Sequence, residues 1–149
     1  MRSTQNGVTL IELLTVIVVI GILASIAVPS YRNYLIRAQR TEATTALLNL
    51  QAAQEKFYLQ QNRYAITQAE LTDGPGDVPP GLGLPGRTER GFYDINLGPG
   101  TNGDQSYAAT ADPVAGAGQA DDTRCTQFSV DDTGLRGATG PGGVAYCWR

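Results

Sequence analysis

A long apolar run near the start of the chain limits what this sequence can form. Val8–Val28 contains a single charged residue, Glu12. As a helix rising 1.5 Å per residue the run would be ~31 Å long, close to the thickness of a bilayer's hydrocarbon core. It is too long for the apolar region of a secretory signal peptide, and no small-residue cleavage site follows it. We therefore expect a membrane-spanning helix.

Glu12 is unusual in this run, because a charged side chain in a membrane-spanning helix has to be explained. A carboxylate inside a membrane segment costs about 2.5–3.5 kcal/mol at the bilayer centre and less towards the interface. A simple anchor gains nothing from that cost, so the glutamate implies a partner that compensates its charge. A tolerated interfacial glutamate is the alternative.

Two stretches of the N-terminal region match a known pattern. Gly7–Glu12 reads GVTLIE, and Gly21–Tyr31 reads GILASIAVPSY. The first looks like a prepilin processing motif, and both stretches resemble type IV pilins. The resemblance implies that an inner-membrane prepilin peptidase cuts between Gly7 and Val8 and that the new amine of Val8 is N-methylated. It also implies that Glu12 pairs with the N-terminal amine of a neighbouring subunit during assembly.

The sequence departs from the commonest form of this motif at two places. Val8 replaces the usual phenylalanine, and Asn6 stands where a basic residue often precedes the glycine. Charge counting also conflicts with the family's topology. One base precedes the span and three follow it closely, which favours a cytoplasmic C-terminus, whereas pilins carry the C-terminus outside. We give the motif and the cysteines more weight than the count.

A helical pattern resumes after Pro29, which has no amide hydrogen and is expected to break the helix, and extends to about Gln61. Residues spaced by three and four form one apolar stripe of an amphipathic helix. The stripe consists of Ala43, Ala46, Leu47, Leu50, Ala53 and Phe57. Gly21 and Pro29 bracket the segment that we expect to bend or unwind when subunits pack.

The rest of the chain predicts a small sheet. Residues 65–90 are rich in Gly, Pro and Asp and indicate a loop. Alternating patterns then predict strands at 92–97, 106–111 and 126–130, with a turn at 131–134 and a short run around Leu135. Three or four antiparallel strands that cover the stem stripe give an α+β fold. The resemblance makes this the type IV pilin fold, a long N-terminal helix packed on a small antiparallel sheet.

The expected organisation has four parts. Residues 1–7 are a leader peptide, 8–28 the transmembrane and filament-core helix, 29–64 the amphipathic stem, and 65–149 a globular head. Cys125 and Cys147 both lie in the head, and two late cysteines in a chain with a membrane signal indicate one disulfide in an oxidising compartment; two free buried thiols are the alternative. The terminal Cys147-Trp148 is similar to minor pilins that end in a disulfide loop.

Composition argues against catalysis. The chain has no histidine, the commonest general base and metal ligand. The Asp121-Asp122 and Asp131-Asp132 pairs lack the order of a calcium loop, and the C-terminal glycines lack the lysine of a phosphate loop. We expect no cofactor, no metal and no enzymatic activity.

The sequence thus predicts a major or minor pilin that polymerises with other pilins for adhesion, twitching motility or DNA uptake. It would reside in the bacterial inner membrane and then in an extracellular pilus. A type II secretion pseudopilin shares the N-terminal motif and is the first alternative. A DNA-uptake receptor is the second, but it is not favoured, because the head has five arginines against eleven acids and DNA binding needs a basic surface.

Overall fold

The computed structural model describes residues 9–149. Gly7 and Val8, the predicted cleavage and methylation positions, lie outside the described residues. Contacts divide the chain after Leu35, so that the N-terminal part and Ile36–Arg149 are separate compact units. We describe each unit by itself.

Helix α1 spans Leu10–Gln61 and contributes to both units. The break expected at Pro29 is not seen, because Pro29 lies inside α1, as does Gly21. A proline within a helix removes one backbone hydrogen bond and crowds the preceding turn, so the predicted bending at these two residues on subunit packing remains a prediction. Every residue from Thr9 to Leu35 is exposed.

The second unit contains a four-stranded antiparallel sheet in the simple order β1-β2-β3-β4. The strands are β1 (Tyr93–Gly100), β2 (Gly103–Pro113), β3 (Gln127–Asp131) and β4 (Arg136–Thr139). Each predicted strand is present, and the alternating apolar residues of these strands are buried together. These are Tyr93, Ile95, Leu97, Tyr107, Ala109, Ala111, Phe128 and Val130.

The core forms between this sheet and the stem part of α1. Ala43, Leu47, Leu50 and Phe57 of the predicted stripe are buried in one cluster with the sheet residues. Leu48, which falls off the stripe, is 39% exposed. The α+β architecture predicted from the two periodicities is therefore confirmed.

Three short helical segments were not predicted. Helix α2 (Gln68–Thr72) lies inside the predicted loop, a 3₁₀ helix spans Gly118–Asp121, and α3 (Gly143–Cys147) lies in the glycine-rich C-terminal segment. A capping box begins α2, in which the Thr67 hydroxyl accepts from the Glu70 backbone N–H and the Glu70 carboxylate accepts from the Thr67 backbone N–H. The loop is thus partly ordered by its own side chains.

Candidate functional sites

The first candidate site is the apolar N-terminal part of α1. The large apolar side chains between Leu10 and Val28 are 49% to 81% exposed, and by length and composition α1 could cross a membrane. Glu12 lies in the first turn, where its backbone N–H donates to the Thr9 carbonyl at 3.1 Å. The Glu12 carboxylate makes no ion pair within residues 9–149.

The exposure of this region has a physical consequence. Burying apolar surface stabilises a fold by roughly 25 cal/mol per Å². The folding of residues 9–149 does not cover the apolar surface between Leu10 and Val28. An exposed apolar surface of this extent is the mark of an interaction surface. The compensating partners of this helix must therefore come from lipid or from other polypeptide chains.

The second candidate site is a buried ion pair that joins α1 to the segment before the first cysteine. The Arg40 Nε lies 2.6 Å from Asp122 Oδ2, and its Nη2 donates to Oδ1 at 2.9 Å. Asp122 Oδ1 also accepts from the backbone N–H groups of Arg124 and Cys125, at 3.1 and 3.2 Å. Gln119 donates to the same carboxylate at 3.1 Å. Asp122 thus fixes the entry to the disulfide loop relative to the stem.

Cys125 and Cys147 are bonded in a disulfide that closes the third candidate site, the C-terminal loop. Both cysteines are fully buried. Thr126 N–H donates to the Thr139 carbonyl at 3.0 Å, and the Trp148 indole N–H donates to the Gly137 carbonyl at 2.8 Å. The chain end is therefore tied to the segment before β3 by the disulfide and to β4 by the hydrogen bond of Trp148.

Arginines and aromatic rings meet on this loop. The Arg40 and Arg124 guanidinium carbons lie 4.8 and 5.5 Å from the centre of the Tyr146 ring. Arg136 lies 5.0 Å from the centre of the Trp148 ring. The contacts with Arg40 and then Arg124 lower the pKa of the Tyr146 hydroxyl. We call Arg124, Arg136, Tyr146 and Trp148 the C-terminal cationic–aromatic cluster.

Two other arginines of the head are engaged by carboxylates. Arg87 Nε lies 2.5 Å from Asp94 Oδ1, and Arg90 pairs with Glu42 of α1. Arg124 and Arg136 make no such pair within residues 9–149. The head carries five arginines against eleven acids, yet Arg124 and Arg136 are exposed, each beside an aromatic ring.

Comparison with known proteins agrees with this architecture. Residues 2–28 match the family model for the prokaryotic N-terminal methylation motif. Residues 29–129 match the model described as type IV minor pilin ComP, DNA uptake sequence receptor. The apolar N-terminal helix with this motif and the sheet-containing head both agree with the family that these models describe. The chain belongs to the type IV pilin family, through the branch that this second model describes.

Named relatives are similar to parts of the chain. A type IV major pilin protein PilE1 of Neisseria gonorrhoeae is 38% identical over 80 residues, which are 52% of this chain and 48% of the relative. A fimbrial protein of Dichelobacter nodosus is 36% identical over 113 residues, 76% of this chain and 64% of the relative. The chain spans about half the length of the first of these curated relatives.

Solved pilin structures also align with the chain. A type IV pilin from Shewanella oneidensis aligns with a TM-score of 0.46 at 21% identity, over 68% of this chain and 89% of that one. The non-core minor pilin PilV of Neisseria meningitidis aligns with a TM-score of 0.48 at 17% identity, over 72% and 89%.

Sequence reasoning missed the buried ion pair and the cationic–aromatic cluster. Arg40 occupies the position three residues before Ala43 on the apolar stripe, and Gln54 lies four after Leu50; both are buried. The periodicity alone would have placed both side chains in the core. Nothing in the sequence indicates that the partner of Arg40 is Asp122, which lies 82 residues further along the chain.

Proposed function

We propose that this chain is a structural subunit of a type IV pilus that polymerises through the apolar part of α1. The observation that carries the proposal is the exposed apolar surface from Leu10 to Val28, which lies within the matched methylation motif. Lipid would cover this surface before assembly, and helices of neighbouring subunits would cover it afterwards. Its role would be mechanical and interactive rather than enzymatic.

Proteolytic processing would supply a positive charge that compensates the Glu12 carboxylate. Cleavage between Gly7 and Val8 would create a new amine four residues before Glu12 and release the polar leader. In an apolar helix bundle an unpaired carboxylate is costly, and an ammonium group close to it offsets part of that cost. Pairing of Glu12 with the Val8 amine of a neighbour would set the register between adjacent helices.

The proposed cellular location follows from the same apolar surface of α1. The subunit would be held in the bacterial inner membrane with its head in the periplasm, where the disulfide forms, and would then enter an extracellular pilus. Its partners would be other pilins, the prepilin peptidase and the assembly machinery. Adhesion and twitching motility are the activities that such a filament serves.

Mass spectrometry of the protein from native membranes and from sheared surface filaments tests this proposal. We expect a chain that begins at methylated Val8, is two hydrogens lighter than its reduced form, and occurs in the sheared fraction. A chain that retains Met1–Gly7 would refute processing. A processed chain confined to the membrane fraction would instead favour a type II secretion pseudopilin.

A second candidate function is DNA binding during uptake. The matched family is described as a DNA uptake sequence receptor, and the cationic–aromatic cluster offers two arginines without carboxylate partners beside two aromatic rings. Cations that bind phosphates release counterions, so affinity should fall steeply with salt. The acidic remainder of the head would oppose binding elsewhere and confine it to this cluster.

Double-stranded DNA binding measured across a salt series tests the second function. Replacing Arg124 and Arg136 by alanine should weaken binding and reduce the slope of log affinity against log salt by about 1 for each phosphate that an arginine no longer neutralises. Arg87→Ala is the matched control, because Arg87 is already paired with Asp94. Equal weakening in both variants would show that the cluster is not the DNA site.

A further inference from the structure

One arginine of the stem, Arg40, contacts both ends of the C-terminal disulfide loop. Its guanidinium binds the Asp122 carboxylate shortly before Cys125, through Nε at 2.6 Å and Nη2 at 2.9 Å. Its Cζ also lies 4.8 Å from the centre of the Tyr146 ring, and Tyr146 directly precedes Cys147. Because the two contacts lie at opposite ends of the loop, a single side chain of α1 holds both of its limbs.

Burial prevents Arg40 from reaching a ligand in solution. Arg40 is 5% exposed and Asp122 is 4% exposed. A buried pair of this kind often adds little net stability over an apolar replacement, because both charges lose their hydration. Its effect on geometry is stronger, since the planar fork of arginine holds a carboxylate in one orientation.

Both contacts of Arg40 lead to members of the C-terminal cationic–aromatic cluster. Asp122 Oδ1 accepts from the backbone N–H of Arg124 at 3.1 Å, which fixes the position from which the Arg124 side chain extends. Arg124 Nη1 in turn donates to the Tyr146 hydroxyl at 3.4 Å, and its Cζ lies 5.5 Å from the centre of that ring. Tyr146 is thus contacted by a buried guanidinium, that of Arg40, and by an exposed one, that of Arg124.

The other half of the cluster is attached to the same short helix. The backbone N–H of Trp148 donates to the Val144 carbonyl at 3.0 Å, so Trp148 is tied to α3, which carries Tyr146. The Trp148 indole N–H donates to the Gly137 carbonyl of β4 at 2.8 Å, and Arg136 lies 5.0 Å from the centre of its ring. A shift of α3 would therefore displace both aromatic rings of the cluster.

From these contacts we propose that Arg40 is a positioning residue for DNA binding: it does not touch DNA but orients the Arg124 and Tyr146 side chains that would. The proposal rests on the second candidate function, DNA binding at the cationic–aromatic cluster. Groups that are already held in their bound arrangement lose less conformational freedom on binding, and affinity rises accordingly. A buried residue of the stem would thus determine the affinity of an exposed surface of the head.

The variant Arg40→Lys separates position from charge. Lysine keeps a positive charge beside Asp122, so neither charge is left buried alone, but it lacks the planar fork and the stacking surface of arginine. Binding of mixed-sequence double-stranded DNA to the full chain in detergent should weaken by roughly tenfold, within the range by which residues in contact are coupled. Arg63→Lys is the matched control, because Arg63 pairs with Glu70 at 2.7 Å and lies 5.3 Å from the centre of the Phe57 ring, outside the cluster.

A double-mutant cycle shows whether Arg40 acts through Arg124. In the Arg124→Ala background most of the loss caused by Arg40→Lys should disappear, because the side chain that Arg40 positions is absent. Low salt keeps the binding of the weaker variants measurable. Fully additive losses would overturn the positioning role, and so would a loss in Arg40→Lys no greater than that in Arg63→Lys.

The Tyr146 hydroxyl gives a readout that does not depend on DNA. Its contacts with Arg40 and then Arg124 lower its pKa, so Arg40→Lys should raise this pKa and Arg63→Lys should leave it unchanged. NMR of ring-labelled tyrosine, assigned with Tyr146→Phe, measures the pKa in the full chain. An unchanged Tyr146 pKa in Arg40→Lys would overturn the positioning role whatever the DNA measurements show. If the parent chain does not bind DNA while Arg40→Lys raises this pKa, the DNA-binding function is overturned and the arrangement that Arg40 imposes on the cluster stands.

Discussion

The two parts of α1 are both rich in apolar residues, yet only one of them finds partners within the chain. From Thr9 to Leu35 every residue is exposed, whereas Ala43, Leu47, Leu50 and Phe57 are buried against the sheet. The difference lies in pattern, since the segment up to Val28 is apolar around its circumference apart from Glu12, whereas the second part has a single stripe. One sheet can cover a single apolar stripe, but a helix that is apolar all around needs contacts on every side.

The two parts also differ in whether their charged groups have partners of opposite charge. In the N-terminal part, the Glu12 carboxylate makes no ion pair within residues 9–149. In the head, Arg40 is buried but meets Asp122, and Glu70 is buried but meets Arg63 at 2.7 Å. Both of these buried charges therefore have a partner of opposite charge within the chain. We infer that folding stability resides in the head and assembly in the N-terminal helix.

The largest expected effect comes from Glu12→Val. Removing the carboxylate removes the group that would pair with a neighbour, so we expect assembly to stop or slow strongly while processing and head stability are retained. The measurements are the yield of sheared filaments, the mass of the N-terminus and the unfolding curve of the head. Glu89→Val, an exposed acid of the head, is the control. Normal filaments from Glu12→Val would refute the pairing.

The next effect concerns the buried ion pair. Asp122→Ala should destabilise the head by about 3–5 kcal/mol, because Arg40 would remain buried without a compensating charge. Urea unfolding followed by the fluorescence of Trp148, the single tryptophan, measures this change. Asp94→Ala is the matched control, since its pair with Arg87 is solvent-exposed and such pairs contribute little. Similar destabilisation in both variants would contradict the burial argument.

The sequence predicts those parts of the fold that depend on local periodicity. The stem stripe and the strand alternation around Tyr93, Tyr107 and Phe128 all reflect side chains that point to one face. The capping box of Thr67 and Glu70 can also be recognised in the sequence as the pattern T-x-x-E, but the many turn-forming residues after it favour a loop. Helix α3 begins at the last of three glycines between residues 140 and 143, where propensity gives no helical signal.

Contacts between distant residues cannot be predicted in the same way. The Arg40–Asp122 pair arises only after the sheet packs on α1. A single sequence carries no information about which buried cation meets which acid. The same limit applies to the cationic–aromatic cluster, because net charge describes the head as acidic while the arrangement leaves Arg124 and Arg136 unpaired by carboxylates.

The Cys147→Ser variant tests how much the disulfide stabilises the head. The disulfide joins residues separated by 22 positions, and in the chain-entropy model a loop of that size contributes about 3 kcal/mol. We expect the variant to lose about that much stability under oxidising conditions and to match the reduced parent protein. The double variant Cys125→Ser/Cys147→Ser controls for wrong pairing by the remaining thiol. Unchanged urea unfolding would contradict a stabilising role.

The smallest expected effect is a pH dependence from Glu70. Burial raises the pKa of this carboxyl, but hydrogen bonds from the Ile66 N–H, Arg63 and Thr67 outweigh it and hold the pKa below its usual 4.5. A carboxyl with a lowered pKa stabilises the folded state above its unfolded pKa, and that contribution is lost as pH falls through the folded value. Glu70→Gln should therefore be less stable than the parent near neutral pH and lose less stability on acidification.

Urea unfolding between about pH 6 and about pH 3 measures how the stability of parent and variant changes with pH. The parent should lose more stability than Glu70→Gln over this range, because only the parent has the Glu70 carboxylate to protonate. The exposed Glu89→Gln should retain the parent's slope. A Glu70→Gln slope equal to the parent's would show that the ion pair with Arg63 does not contribute to the stability of the head.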